Sequence, residues 1–401
     1  MDLVSFRALL TAAGQEALLE AERRQPREED FLAHFQVLER TYPRPVAQAA
    51  LETAILRQEA TAKFPMAARM YFTREALEQA SASEVTRYRA ERYRSFRFVA
   101  DLGCSIGGDS LALAAVTGLI GLDLDPLRLA LARANLAALD LIQDALFVQA
   151  DLRQPLPLAG GLALFFDPAR RSGGRRVHST RFYNPPLTRL LDWLPDYPDL
   201  GVKISPGVDL EELHPYPAEI EFISLKGELK EAALWFGSLK TATRRATVLP
   251  GEHSLTEIPG AALPLRDPGA YLYEPDPAVI RAGLVTTLGM RLEAGQLDAQ
   301  IAYLTADREM QTPFGRSWQV TDWFPFGLKR LRAYLRQRGV GRVVVKKRGS
   351  PLEPDELIRD LRLKGDQEAV IFLTHLRGEP IVIIASLREQ SIVKKEEGEK
   401  G

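Results

Sequence analysis

The chain has 401 residues, 46% apolar and 26% charged, the make-up of an ordinary globular protein with length for two or three domains. Its 52 Lys and Arg against 53 Asp and Glu leave a net charge of -1, which excludes a polycation that coats nucleic acid or membrane, so any basic surface must be local. A single cysteine, Cys104, excludes an internal disulfide and a cysteine-based zinc site, and five scattered histidines argue against a histidine cluster, leaving only a carboxylate metal site open. No apolar run approaches a bilayer span, and the start, MDLVSFRALL, lacks the pattern of a signal peptide. The expectation is a cytoplasmic protein with no metal and no membrane partner.

Residues 1–92 read as helices, with apolar residues at helical spacing in 3–24 and 45–64 and with Pro43 and Pro45 between them. This region shows no catalytic constellation and is expected to cap the domain that follows. Over 93–245 short apolar runs alternate with helical ones. Strands are predicted at 96–103, 118–125, 145–151, 163–169 and 200–206, and helices at 107–116, 126–139 and 183–194. Two further runs, 218–225 and 232–239, flank Lys226-Gly227 as a hairpin closing the sheet edge. The alternation predicts an α/β fold, a parallel sheet with helices on both faces. In the connecting region, 246–324, one helix is predicted over 274–288, with Asp276 as its cap and Pro277 in its first turn. Residues 325–401 read as a small α/β domain, with helices at 328–339 and 354–363 and strands at 341–349, 368–376 and 379–387, before a charged tail.

The chemistry concentrates in Asp101–Asp109, DLGCSIGGD, between a strand and a helix. Glycines there remove side chains, so a cofactor can lie against the backbone. Twenty residues after Gly103, Asp123 ends the second strand, where an acid accepts hydrogen bonds from ribose hydroxyls. Asp151 ends the third strand, placed with its neighbours for an adenine edge, and Asp167 follows the fourth. Four consecutive strands thus end in Asp at one edge of one sheet. A dinucleotide site expects G-x-G-x-x-G, whereas this loop offers Gly103-x-Ser105-x-x-Gly108, without the middle glycine that admits a pyrophosphate. Asp101 also places negative charge beside the loop, unfavourable for a pyrophosphate and favourable for an ammonium. The electrostatics favour S-adenosylmethionine over a nicotinamide dinucleotide.

Residues 98–170 resemble a class I S-adenosylmethionine-dependent methyltransferase, with DLGCSIGGD as the first motif, GLDLDP as the second, QADL as the third and FFDPAR as the fourth. The whole chain resembles a bacterial group of such enzymes with a C-terminal THUMP-like domain, through residues 62–80 and 324–335. The resemblance implies a Rossmann-like methyltransferase sheet with an N-terminal helical region and a small C-terminal α/β domain. It implies a cofactor held by Asp101, Gly103, Cys104, Ser105, Gly107, Asp123, Leu124, Asp151 and Leu152, and direct methyl transfer with Asp167 and Pro168 on the acceptor side. THUMP domains belong to RNA-modifying enzymes, so it also implies an RNA partner. Ser105 stands where the family usually has glycine. Amino-methylating relatives carry Asp/Asn-Pro-Pro-aromatic; here Asp167 and Pro168 match, while Ala169 and Arg170 do not, which leaves the acceptor atom open. Phe166 or Tyr183 could replace the missing aromatic, but both are expected in the core. Cys104 is expected to be a small buried residue and not a nucleophile.

Two basic stretches bear on the partner. Arg170, Arg171, Arg175 and Arg176, on a glycine-containing loop beside Asp167, suit gripping phosphates. From Lys329 to Arg348 there are nine Lys and Arg and no acid, which fits either a nucleic-acid backbone or a solvated face with internal salt bridges. The expected function is RNA methylation. The alternatives are methylation of a small metabolite or protein side chain, and a non-catalytic RNA-binding or cofactor-sensing protein. Oligomeric state is not legible.

Overall fold

A computed structural model describes residues 1–169 and 179–386, together with the backbone of Arg171–Ser172 and Arg175–Arg176. Arg170 and the charged tail lie outside the described residues. The chain divides into two compact units, one of residues 1–243 and 249–252, the other of residues 244–248 and from 253 onward.

The first unit opens with six helices, α1 (Leu3–Leu9), α2 (Ala12–Arg23), α3 (Phe31–Leu38), α4 (Arg44–Ala60), α5 (Arg74–Gln79) and α6 (Ser83–Ala90). The helical run 3–24 divides at Thr11, whose side chain accepts from the Gly14 N–H and caps α2. Gly14 is required there, because a Cβ would fall 2.3 Å from the Ala8 carbonyl oxygen. From Phe6 and Leu9 to Phe72 the apolar faces form one core, which includes Ile106 and Leu131 of the α/β part.

The strands of that part are β1 (Phe98–Leu102), β2 (Gly118–Asp123), β3 (Ala145–Gln149) and β4 (Ala163–Phe166). Between them lie α7 (Ser110–Ala114) and α8 (Pro126–Ala138), the latter capped by Asp125 with Pro126 in its first turn. A two-stranded ribbon, β5 (Arg171–Ser172) with β6 (Arg175–Arg176), follows. Then come α9 (Leu190–Trp193), β7 (Leu200–Ile204), β8 (Glu219–Leu225) and β9 (Glu228–Trp235). Within this unit the strand order is β8-β9-β7-β4-β1-β2-β3. The five strands from β7 to β3 are parallel, and β9 and β8 add the antiparallel hairpin. Every residue of β4 and β7 is buried, as expected of central strands covered on both faces.

The helix predicted over 183–194 is shorter than expected. Pro185 and Pro186 lack N–H donors and hold the preceding backbone extended, so only a 3-10 turn at Leu187–Arg189 and the one-turn α9 form. Several polar ties fasten the helical region to the sheet, among them those of Asn135 and Arg92. Asn135 on α8, fully buried, accepts from the Tyr71 N–H at 2.6 Å and donates to the carbonyls of Tyr71 at 3.0 Å and Ile106 at 2.8 Å. Arg92 pairs with buried Glu219 and Glu221 on β8, and Glu221 also accepts from the Trp235 indole N–H.

In the second unit β10 (Arg244–Leu249) and β11 (His253–Thr256) form an antiparallel pair. After β12 (Tyr271–Pro275) the predicted single helix is two, α10 (Pro277–Arg281) and α11 (Val285–Arg291). Asp276 caps the first as expected, but Gly283, at φ +73°, ends it, with the Leu284 N–H bonding back to the Val279 carbonyl. Next come β13 (Gly295–Asp298), β14 (Ile301–Ala306), β15 (Gly315–Pro325), α12 (Leu328–Gln337), β16 (Val340–Lys347), α13 (Pro354–Leu361), β17 (Gln367–Leu376) and β18 (Glu379–Ala385). They build a seven-stranded sheet ordered β13-β14-β12-β15-β18-β17-β16, with the apolar faces of α12 and α13 packed on it. Among the described residues no helix is long and apolar enough to cross a membrane.

Replacing Asn135 by Ala orphans three buried backbone groups, so unfolding stability should drop by about 2–4 kcal/mol. Urea denaturation would register this as a lower midpoint at unchanged slope; a drop below about 0.5 kcal/mol would show that water takes over the bonds.

Candidate functional site

Parallel register sets the site. Leu102 pairs with Leu122 and with Phe166, and Asp123 pairs with Gln149, so β1 to β4 all end at one edge. There Asp101, Gly103, Cys104, Ser105, Asp123, Leu124, Asp151, Leu152, Asp167 and Pro168 line a single cavity of about 320 Å³. That volume lies within the roughly 300–1,000 Å³ typical of small-molecule sites. Ten sequence-predicted positions thus meet in one place.

The loop after β1 is pinned to β2. The N–H groups of Gly103 and Cys104 both donate to the Leu122 carbonyl, at 2.8 and 2.9 Å. Gly103 has φ +80°, and a Cβ there would lie 3.2 Å from the Asp167 carbonyl oxygen, so backbone alone fits between β1 and β4. Ser105 takes φ +51°, the conformation that favours the family's usual glycine, and its N–H donates to Asp123 at 2.9 Å. The other Asp123 oxygen accepts from the Asp125 N–H at 2.9 Å. Burial raises the Asp123 pKa against these bonds. Asp151 is held by Arg153, two residues on, which brings its pKa down to about 2.

Gly107 does not line the cavity. Its φ of +83° and its closeness to Ala132 and Leu136 make it a packing residue against α8. The side chains of Arg171, Arg175 and Arg176 lie outside the described residues; only their ribbon backbone is placed. Phe166 and Tyr183 are core residues, the first edge-on to Trp193, the second bonded through its hydroxyl to the Ser205 N–H. Cys104 is buried, which pushes its thiol well above the usual range, in keeping with a packing role.

Several residues at the site carry no sequence signal of their own. Asn184 and Pro185 join the cavity wall because Asn184 and Ala169 exchange backbone hydrogen bonds. Glu78, Gln79 and Ala80 bring the N-terminal region into the wall, beyond the capping role expected of it. Lys203 on β7 donates to Asp167 at 2.6 Å while only 2% exposed. Arg89 on α6, also 2% exposed, pairs with Asp109 and with Glu231 on β9.

Four carboxylates, Asp101, Asp109, Asp167 and Glu231, therefore meet two buried cations, Arg89 and Lys203. Burial and then the charge of Asp109 raise Asp101 to about 8, although Ser110 donates to it. Asp101 enters as a proton-holding member of this cluster, not as the free negative charge expected beside the loop. Asp109 is raised too, chiefly by burial. The cluster favours a cationic ligand, and the cradle around Gly103 favours one that lies against backbone. Among the described residues no group of three His, Cys, Asp or Glu is arranged to hold a metal.

A family model described as THUMP domain-like matches residues 315–387, and one described as a domain of unknown function matches residues 2–60. Over 337 residues the chain is 38% identical to an "uncharacterized S-adenosylmethionine-dependent methyltransferase" of Mycobacterium tuberculosis, covering 81% of this chain and 92% of that relative, in each of two strains. The crystal structure of a "putative methyltransferase" from Porphyromonas gingivalis W83 matches with a TM-score of 0.74 at 22% identity, over 91% of this chain and 100% of that one, which is a likeness of fold.

Asp101 ionises near pH 8 in the folded chain and near its ordinary value of 3.8 when unfolded. Folding then takes up a proton between those values, so this group makes stability fall as pH rises from 4 to 8 and adds no slope above. Asp101→Asn removes the group, and its denaturant midpoints at pH 5 and pH 9 should lie closer together than those of the wild type. Equal declines would show Asp101 ionised throughout.

Proposed function

We propose that this chain, which belongs to the S-adenosylmethionine-dependent methyltransferases, methylates RNA by direct transfer. Its cofactor is S-adenosylmethionine. That molecule carries an ammonium and a sulfonium and no phosphate, which suits a glycine-containing cavity lined by Asp101, Asp109, Asp123, Asp151 and Asp167. We assign Asp123 to the ribose hydroxyls, which find its oxygens already oriented by two backbone N–H groups. Leu124 and Leu152 supply apolar wall for the adenine, with Asp151 at its edge.

When bound, the cofactor supplies an electrophilic methyl carbon on a positively charged sulfur. Asp167 would take up the proton that the acceptor loses on methylation. Asp167 and Pro168 lie on the cavity wall after β4, where they hold the acceptor in line; such positioning is worth about 7–11 kcal/mol at best.

One observation carries the choice of RNA. The basic run Lys329–Arg348 separates into two kinds of cation in the second unit. On β16 and just after it, Arg342, Lys346, Lys347 and Arg348 have carboxylate partners. On and just after α12, Lys329, Arg330, Arg332, Arg336 and Arg338 have none among the described residues, and all but the half-buried Arg332 are exposed. Arg330 and Arg338 instead lie over the rings of Phe324 and Tyr334. Exposed guanidinium groups without acidic partners are suited to phosphates. The THUMP domain-like match covers the same residues, and an RNA acceptor is consistent with it.

Two measurements check this reading. Asp123→Ala should weaken cofactor binding in calorimetry about 10- to 100-fold, since hydrogen bonds to a charged group are worth about 1.5–3 kcal/mol; unchanged affinity would remove Asp123 from the site. Filter binding of structured RNA across a salt series should show a steep slope. Replacing Arg330, Arg336 and Arg338 by Ala should reduce that slope by about 0.7–0.9 for each phosphate no longer neutralised, whereas a flat response in the wild type would point to a metabolite or protein acceptor.

A further inference from the structure

We propose that Lys203 is the positioning residue that keeps Asp167 ionised and aimed at the methyl acceptor. The inference rests on Asp167 being the acceptor-side group. Parallel pairing of Phe166 with Val202 puts the next residues of β4 and β7, Asp167 and Lys203, side by side, and the Lys203 Nζ donates to Asp167 Oδ2 at 2.6 Å. The two side chains are exposed very differently, 3% for Lys203 and 24% for Asp167. Asp167 lies on the cavity wall and Lys203 does not, so Lys203 acts on the acceptor only through Asp167.

Among the described residues, both acids and cations lie close to Asp167. Asp109 in the loop before α7 interacts with Asp167 as a like charge, and Asp101 on β1 does so once it ionises. Glu231 on β9 adds a further acid. Arg89 on α6 pairs with Asp109 and Glu231 and also interacts with Asp167 as an opposite charge. Lys203 is the buried cation bonded directly to Asp167. Without it, the charge of Asp109 and the partial burial of the site would favour the protonated form of Asp167, which then no longer takes the acceptor's proton. The bond at Oδ2 also restricts rotation of the carboxyl. Lys203 sits on a fully buried strand, so its alignment is set by the sheet and not by a loop.

The protonation curve of Asp167 can be read without any acceptor, by NMR of protein carrying 13C at the aspartate carboxyls, with the resonance assigned through Asp167→Asn. In the wild type Asp167 should remain ionised down to about pH 4. Lys203→Met should move its midpoint up by about one pH unit or more, and Lys203→Arg should restore it. If Lys203→Met does not fold, Lys203→Gln takes its place. A wild-type midpoint above about 5, or a midpoint that removal of the charge leaves in place, overturns the proposal. Turnover with labelled cofactor gives the second arm, on RNA from cells lacking this gene and on protein and metabolite extracts of the same cells. In Lys203→Met, kcat should fall as pH is lowered through the raised Asp167 midpoint and recover above it, with cofactor Kd within about twofold of wild type, while Lys203→Arg follows the wild-type profile. A profile parallel to wild type makes Lys203 a purely structural residue and overturns the proposal. Wild-type activity on the other extracts alone refutes an RNA acceptor and leaves both Lys203 arms intact.

Discussion

Buried Asp101 and Glu231 and part-exposed Asp109 and Asp167 lie among two buried cations, Arg89 and Lys203, and much of the first unit answers this concentration of charge. A buried carboxylate without a partner is costly, so each acid here either finds a cation or holds a proton. Arg89 reaches the cluster from α6, Glu231 from β9 and Lys203 from β7, which explains why the N-terminal helices and the antiparallel hairpin are integral to the site. The hairpin turns the end of a parallel sheet into a source of one more acid, and Ser81 donates to that acid at 2.8 Å.

Ser105 shows how the loop tolerates a departure from glycine. At φ +51° an L-residue costs about 1–2 kcal/mol relative to the ordinary helical region. The same conformation turns the Ser105 N–H onto Asp123, a charge-assisted bond that offsets that cost. Asp123 thereby works twice. It fastens the loop to the end of β2, and its carboxylate is presented in a fixed orientation before any ligand arrives. Glycine at this position would adopt the turn without that strain but would give up more conformational entropy on folding.

The four aspartates were readable because a parallel sheet with right-handed crossovers brings successive strand ends to one edge, so a pattern in sequence order becomes a pattern in space. Lys203 was not readable, because on one line of sequence a lysine in VKIS is indistinguishable from a solvent-facing strand residue; only the register with Phe166 buries it beside Asp167. Gly107 shows the converse. A glycine in the loop reads as a cofactor contact, while its position over Ala132 shows a helix packing against backbone. The stretch from 246 to 324 gave few signals because its strands alternate weakly and are joined by short irregular segments. Their pairing is made by residues distant in sequence, such as Tyr273 with Leu304 on one side and with Ser317 on the other. Within 274–288 the helical period continues past Gly283, and the break is a matter of backbone conformation that apolar spacing does not record.

The same limit governs the basic run of the second unit. In sequence Lys329 to Arg348 is one stretch of nine cations without an acid. Folding puts part of it on a strand and part on and just after a helix, and these segments have different neighbours. β16 pairs in parallel with β17, so Arg342 meets Glu368, while Lys346 and Arg348 reach Glu274. α12 buries Leu331 and Leu335 and turns its cations the other way, where Arg332 and Arg336 bond carbonyls of the α13 end, not carboxylates. Those bonds fix the direction of two guanidinium groups without neutralising them. A near-neutral protein can therefore present concentrated local positive charge, because its acids are spent on the strand beneath and not on the helix above.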